Sequence, residues 1–180
     1  MTDLEFESAV EKIRAGDSSG LRAIYDAYGD KIYRIFLGKL HHHQDAEDLT
    51  SDFFLKLWEC APAHRTGQGH KSWLATIARN MAIDHLRKSV RMTPVEDAEE
   101  AGLPPDTETP ENAVLGDMQA AQLLSSLSED EQEIVRLHIA AELTFREIAE
   151  VLKKPLGTVA WKYRNAIGKL QKLAKEGRLV

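Results

Sequence analysis

Apolar residues recur at intervals of three and four along most of the chain, and no stretch alternates convincingly between apolar and polar positions. That spacing places apolar side chains on one face of an α-helix, so the pattern predicts an all-α protein. Helices in the first 90 residues are expected over Asp3–Arg14, from an N-cap at Asp17 or Ser18 to about Leu40, from near Asp45 to before Pro62, and over about Lys71–Lys88.

A second group of helices is predicted in the last third of the chain. Thr109-Pro110 is typical of an N-cap followed by proline at the first helical position. Ser128 with Glu131, and Thr144 with Glu147, have the capping-box spacing, in which each side chain bonds the other residue's backbone N–H. The two boxes predict a helix to about residue 141 and a short helix that begins at Thr144.

Pro155 ends that short helix, because proline lacks the N–H that helix continuation requires. A further helix is expected from about Thr158. Its apolar face comprises Val159, Tyr163, Ala166, Ile167, Leu170 and Leu173. Its opposite side is largely polar and basic and comprises Thr158, Trp161, Lys162, Asn165, Lys169 and Lys172. Arg164 lies on the flank between the two sides. Two short helices joined by a tight turn predict a DNA-binding helix-turn-helix. The alternative is a helical hairpin with a solvated basic face.

A segment rich in proline and acidic residues separates the two helical groups. Residues 91–117 carry one basic and eight acidic side chains, whereas residues from Lys153 onward carry eight basic and one acidic. The charge pattern therefore predicts two small helical domains, residues 1–91 and 111–180, joined by an acidic linker at 92–110. DNA contacts are expected on particular helices, since the whole chain has a net charge of −6.

The composition excludes several classes of protein. No apolar run approaches the roughly 20 residues that span a bilayer, and the acidic N-terminus is not a secretory signal. The single cysteine, Cys60, suits a reducing cytoplasm. The consecutive His41, His42 and His43 lack a metal-ligand spacing and are expected to cap the second helix. No cofactor, metal or catalytic arrangement is expected, so the chain is predicted not to be an enzyme.

Three segments together resemble a known family. Residues 45–58 look like the conserved region 2 signature of bacterial sigma factors, and residues 72–88 look like the helix of that region that meets the −10 promoter element. Residues 127–170 resemble region 4, which reads the −35 element. Regions 2 and 4 with only a short linker are the layout of extracytoplasmic-function (ECF) sigma factors of the sigma-70 family. The resemblance implies a promoter-specificity subunit that recruits core RNA polymerase and assists strand melting.

The resemblance also implies roles for individual residues. The acidic third helix is expected to dock on the clamp helices of the largest polymerase subunit through Asp45, Asp48 and Asp52. On composition alone, a solvated face whose acids compensate the helix dipole is the favoured interpretation. The −10 strand is expected to contact Arg79, Asn80, Arg87 and Lys88, in a stretch with five basic residues and one acid. The −35 duplex is expected to contact Thr158, Ala160, Trp161, Lys162, Arg164, Asn165 and Lys169.

The chain departs from the family pattern at three positions near the recognition helix. Ala160 and Trp161 stand where a basic and a small polar residue are common, and Lys153 stands where a glycine usually makes the turn. In the loop that captures a flipped −10 base, Arg65, Gln68 and His70 are the candidates.

The family further implies promoter DNA, double- and single-stranded, as a partner and an anti-sigma factor as the inhibitor, with no insertion into a membrane. Two alternatives remain at this point: an operator-binding helix-turn-helix regulator, and a protein that mimics a sigma factor to titrate polymerase or an anti-sigma factor. An operator-binding regulator has no need for the basic cluster from Lys71 to Arg91 or for an exposed acidic row.

Overall fold

The computed structural model describes residues 1–65, 69–92 and 124–175, and every regular element in these ranges is a helix. The chain divides into two compact units between Pro104 and Pro105. The first unit contains α1 (Asp3–Arg14), α2 (Ser19–Leu40), α3 (His43–Cys60), a 3-10 turn (Ala61–Ala63) and α4 (His70–Met92). The second contains α5 (Glu129–Ile139), α6 (Phe145–Leu152) and α7 (Leu156–Lys175). The all-α prediction is confirmed.

The first unit is organised around α2, which packs against α1, α3 and α4. The core that these helices share is made of fully buried residues from each of them, among them Phe6, Ile24, Phe36, Phe53, Leu57 and Leu74. Gly20 lets α2 approach α1 closely, because a Cβ atom there would lie 2.2 Å from the carbonyl oxygen of Ala9. Tyr25 of α2 is largely exposed and lies beside Phe54.

Helix α1 is hydrogen-bonded through Arg14 to the 3-10 turn and the residue that follows it. A capping box between Thr2 and Glu5 begins the helix. At its other end the Arg14 guanidinium donates hydrogen bonds to the carbonyl oxygens of Pro62 (3.1 and 3.2 Å) and His64 (2.9 Å). These bonds hold the end of α1 against the 3-10 turn.

The three consecutive histidines do not act as one cap. His41 is the C-cap of α2, where the histidines were expected, and it adopts a left-handed conformation. His42 caps the N-terminus of α3 instead. His43 lies within the first turn of α3, where its Nδ1 is 2.7 Å from the hydroxyl of Tyr33. The described residues contain no group of three or more His, Cys, Asp or Glu side chains placed to hold a metal ion.

Both predicted capping boxes of the second unit are present, at Ser128–Glu131 and at Thr144–Glu147. The core beneath them contains Leu127, Ile134, Leu143, Ile148, Val159 and Ala166. Helix α5 ends two residues earlier than predicted, and its apolar residue Ile139 is exposed. Among the described helices, none combines the length and the apolar character that a bilayer-crossing segment needs.

The turn between α6 and α7 uses a lysine in place of the expected glycine. Lys153 adopts the left-handed conformation, with φ of 52°, and the Lys154 N–H bonds back to the carbonyl oxygen of Ala149 at 3.0 Å. The Pro155 carbonyl then accepts the N–H groups of Thr158 and Val159. Helix α7 therefore begins at Leu156, two residues before the predicted Thr158, and the turn is as tight as a glycine would make it.

Two predictions fall outside the described residues. The helix expected after Pro110 lies there except for Leu124, which packs against the Leu127 cluster. The expected linker, 92–110, also lies there apart from its first residue, which belongs to α4. Both stay predictions.

Candidate nucleic-acid interface

The exposed surface of α7 is built around Trp161 and Arg164. These residues are three positions apart on a helix, so their side chains are neighbours on one face. Trp161 is 61% exposed, an unusual state for so large an apolar side chain. The Arg164 side chain is also exposed, and its Nε donates to the Ala160 carbonyl oxygen at 3.2 Å. Thr158 and Ala160, at the start of the helix, are partly buried.

A carboxylate from α5 holds the cations on the other flank of α7. One oxygen of Asp130 accepts hydrogen bonds from Lys154 Nζ and Lys162 Nζ, each at 2.5 Å. Hydrogen bonds from these two lysines lower the pKa of Asp130 to about 2. Lys162, predicted to contact a phosphate, is therefore paired with a carboxylate of the same chain, and its side chain is only 24% exposed.

The neighbouring carboxylate, Glu131, is buried and holds the next turns of α7. Lys169 Nζ donates to both of its oxygens, at 2.8 and 2.9 Å, and the Asn165 amide donates at 2.6 Å. The Glu131 side chain is only 5% exposed. Hydrogen bonds, chiefly from Lys169, lower the pKa of Glu131 to about 2. A charge buried this deeply requires its partners, because an unpaired buried carboxylate is strongly destabilising.

The predicted −35 contacts thus fall into two groups. Trp161 and Arg164 point into solvent, whereas Lys162, Asn165 and Lys169 are bonded to α5. Sequence reasoning identified Glu131 only as a helix cap and missed its second role. The only sequence signal for these pairs was an acidic first turn of α5, which is equally explained by the helix dipole.

The predicted −10 residues lie along the exposed side of α4. Asn80, Arg87 and Lys88 are exposed and Arg79 is half-buried. Arg87 Nη1 lies 3.7 Å from Asp84 Oδ1, a distance that gives a weak ion pair between exposed groups. Polar and cationic groups at intervals of about two turns suit a surface that follows a nucleic-acid backbone.

Two histidines near the start of α4, His64 and His70, are buried. His70, a predicted −10 loop candidate, is buried between Asp3 and Tyr28 and hydrogen-bonds both, so it is not available at the surface. His64 is also buried, its Nδ1 atom has no hydrogen-bond partner in the described residues, and burial lowers its pKa. Trp73 packs against His64 with ring centroids 4.6 Å apart. Of the other loop candidates, Arg65 is exposed and Gln68 lies outside the described residues.

The outer face of α3 presents a row of acids that includes an apolar residue. Asp48 and Asp52 are exposed, and Leu55, seven positions after Asp48, is 67% exposed. Asp45 is turned aside, since its carboxylate oxygens lie 3.4 Å from His42 Nδ1 and 3.6 Å from His85 Nε2. Leu55 adds exposed apolar area beside these carboxylates, and it is a candidate for a protein contact that the sequence-based prediction missed.

Comparison with known proteins identifies the family. The family described as sigma-70 region 2 matches residues 24–92, and the family described as sigma-70 region 4 matches residues 123–172. The chain is 32% identical to the ECF RNA polymerase sigma factor BldN of Streptomyces coelicolor, over 91% of this chain and 64% of that protein. It is 30% identical to the RNA polymerase sigma-H factor of Pseudomonas aeruginosa, over 98% and 99% of the two chains. The chain belongs to the sigma-70 family, in its ECF group.

Solved structures share the fold. CnrH, in complex with the cytosolic domain of CnrY, aligns with a TM-score of 0.70 at 17% identity, over 97% of each chain. The sigma factor RpoE, in complex with the anti-sigma factor NepR from Bartonella quintana, aligns with a TM-score of 0.67 at 23% identity, over 86% of this chain and 96% of that one. The family predicted from the sequence is confirmed: the chain is a transcription initiation factor that binds core RNA polymerase and promoter DNA.

Proposed function

We propose that this sigma factor reads the −35 element through the Trp161–Arg164 face of α7. The exposure of this pair is the observation that carries the proposal, because neither side chain is needed for the core and one is a large apolar group in water. Arginine is the side chain best suited to guanine, through O6 and N7, and an aromatic ring can cover a thymine methyl group. A bidentate contact between arginine and guanine contributes about 1–3 kcal/mol of discrimination against the wrong base.

The −10 element is assigned to α4. Strand melting exposes phosphates and unstacked bases, and Asn80, Arg87 and Lys88 supply an amide and two cations on the exposed side of the helix, with Arg79 beside them. His70 is left out of this surface, since it is buried and bonded on both ring nitrogens.

Core polymerase is assigned to α3, through Asp48, Asp52 and Leu55. The two carboxylates steer the surface toward a basic partner, and Leu55 supplies apolar area at the centre of the contact. Asp45 lies at the edge of the patch, where its contacts with His42 and His85 reduce its part in binding. In the family this partner is the pair of clamp helices of the largest polymerase subunit.

We also propose control by an anti-sigma protein. Support comes from the two structural relatives, since RpoE was solved with the anti-sigma factor NepR and CnrH with the cytosolic domain of CnrY. A sigma factor acts where transcription occurs, so the chain is assigned to the cytoplasm. It acts by binding and positioning and performs no catalysis itself.

The division of labour is tested by charge reversal on α3. Asp48→Arg should weaken the binding of the full chain to core polymerase, measured by fluorescence anisotropy of labelled sigma factor, and leave duplex DNA binding unchanged. Glu47→Arg is the matched control, because Glu47 is an exposed acid one position away that points about a quarter-turn around the helix. Equal loss in both variants, or loss of duplex binding with Asp48→Arg, contradicts the assignment.

The −35 assignment is tested by base preference. Holoenzyme formed with the natural chain or with Arg164→Ala is used to select promoters from a randomised −35 library, followed by sequencing. Arg164→Ala should relax the preference at one base pair. Gln171→Ala, an exposed change on the same face two turns further along, should preserve it. Unaltered preference with Arg164→Ala removes the basis of the assignment.

A further inference from the structure

The cations beside the exposed face of α7 are held by a carboxylate from another helix. Asp130 Oδ2 accepts from Lys154, in the turn before α7, and from Lys162, in its second turn. These partners are 24 and 32 residues away along the chain. The Asp130 side chain is 42% exposed, so the cluster sits at the surface and not in the core.

The three side chains carry a net charge of one positive unit, since one carboxylate faces two ammonium groups. A DNA phosphate that approaches this cluster needs Lys154 and Lys162 as donors, but both already bond Asp130. The negative charge of Asp130 also repels the phosphate. Without the carboxylate, the same two lysines present two positive charges. The affinity of a protein for the DNA backbone follows the number of phosphates that its cations neutralise.

We propose that Asp130 is a built-in counterion that limits sequence-independent binding of DNA backbones by the helix-turn-helix. The proposal rests on the proposed −35 role of α7 and adds a specificity function for a residue outside the recognition helix. Because Asp130 already accepts from Lys154 and Lys162, the phosphate backbone gains less from them. Base contacts by Trp161 and Arg164 then make up a larger share of the binding.

The neighbouring acid, Glu131, does not share this role. Its side chain is nearly inaccessible and accepts from Lys169, Asn165 and Ser128, which satisfies both oxygens. Displacing it would leave a buried carboxylate without partners, which costs far more than exchange at the surface. Asp130 is therefore the carboxylate that DNA can compete with, and Glu131 is the fixed part of the fold.

The acid one position earlier provides a matched control. Glu129 is exposed, lies in the same first turn of α5 and contributes equally to the charge at the helix N-terminus. Asp130→Asn and Glu129→Gln each remove one negative charge. They differ in that only Asp130 pairs with Lys154 and Lys162.

The experiment measures binding of the full chain to a short random-sequence DNA duplex by fluorescence anisotropy across a salt series. Asp130→Asn should bind more tightly than the natural chain at low salt and neutralise about one more phosphate, so its salt slope steepens by about 0.9. Between 50 and 200 mM salt, this slope adds about 3.5-fold to the loss of affinity. Glu129→Gln should match the natural chain. Asp130→Ser provides a second neutral variant, because serine is compatible with the first turn of a helix. It should behave as Asp130→Asn does.

Each other outcome has a definite meaning. If the neutral variants bind as Glu129→Gln does, or more weakly than the natural chain, the counterion role is wrong and Asp130 only positions the lysines. If neither the natural chain nor any variant binds duplex DNA at low salt, the proposed duplex contact of α7 fails along with the counterion. If Arg164→Ala changes the base preference but Asp130→Asn leaves duplex affinity and its salt slope unchanged, the counterion role is rejected and the −35 assignment stands.

Discussion

Replacing Glu131 by glutamine tests whether the buried network at the start of α5 holds the second unit together. The natural carboxylate accepts hydrogen bonds from Lys169 on both oxygens, from the Asn165 amide and from the Ser128 backbone N–H. Glutamine has nearly the same shape but one acceptor oxygen, so some of these donors would face an amide NH2 group. The change therefore removes acceptor capacity and charge without creating a cavity.

The expected loss of stability follows from the network. Hydrogen bonds to charged groups contribute about 1.5–3 kcal/mol each, and the partly exposed Lys169 regains some hydration when its bond is lost. The pKa of Glu131 falls from 4.5 to about 2 on folding, which corresponds to about 3 kcal/mol. Glu131→Gln should therefore lower the free energy of unfolding of this unit by about 2–3 kcal/mol, a large part of the 5–15 kcal/mol typical of a domain.

The same residue predicts how stability changes with pH. Because its folded pKa lies below its unfolded value, the Glu131 contribution is complete above about pH 4.5 and is lost as the pH falls toward about 2. Asp130, with its pKa lowered to about 2, titrates in the same range but is partly exposed and contributes less. The natural chain should lose stability over this range, and Glu131→Gln should lose less.

Urea unfolding of the full chain, followed by circular dichroism at a series of pH values, measures both effects. Hydrogen exchange of peptides from α5 to α7 at neutral pH isolates the second unit from the first. Glu129→Gln is the control, because it removes an exposed acid from the same helical turn. Equal shifts for the two variants, or an unchanged acid dependence in Glu131→Gln, would show that helix-dipole compensation is the main effect and refute the network argument.

Three further predictions concern stability and are read by thermal unfolding. Lys153→Gly should stabilise the second unit by about 1 kcal/mol, since glycine tolerates the left-handed φ of 52° at this turn. Destabilisation by this change would show that the Lys153 backbone is not strained. Gly20→Ala should lower the free energy of unfolding by about 1–3 kcal/mol, because the added Cβ would clash with the Ala9 backbone. Gly168→Ala has open space around its Cβ and should raise the free energy of unfolding by about 0.5–1 kcal/mol. Similar effects of the two changes would refute the close approach of α2 to α1. Phe53→Ala should cost about 3–5 kcal/mol, and near-neutrality argues against a buried ring.

Local features of the chain were predicted well because they depend on neighbours within about four residues. The boxes at Ser128 and Thr144 bond their own helix starts, so their sequence spacing is also their geometry. The break at Pro155 was predictable for the same reason. Helix ends were less accurate: α7 begins two residues early because the Pro155 carbonyl accepts its first N–H groups, an arrangement the spacing of apolar residues does not contain.

The positions of the functional side chains were predicted less completely. The sequence placed Lys162, Asn165 and Lys169 on the polar side of their helix, yet all three are bonded to α5. On α3, the acids Asp48 and Asp52 are exposed as expected, but the spacing of apolar residues along the helix gave no reason to single out Leu55. Helical spacing fixes which residues share a face and leaves open what that face meets.

The sequence alone therefore determined the all-α class, the helix-turn-helix, and the family, since period, capping and motif are properties of contiguous residues. Tertiary structure decided which cations remain available. Asp130 reaches Lys154 and Lys162 only because α5 packs across the start of α7, and such a contact depends on the angle and depth of helix packing. Pairs separated by 24 to 38 residues are set by this packing, so no local pattern could have shown that Lys162, Asn165 and Lys169 are bonded to α5.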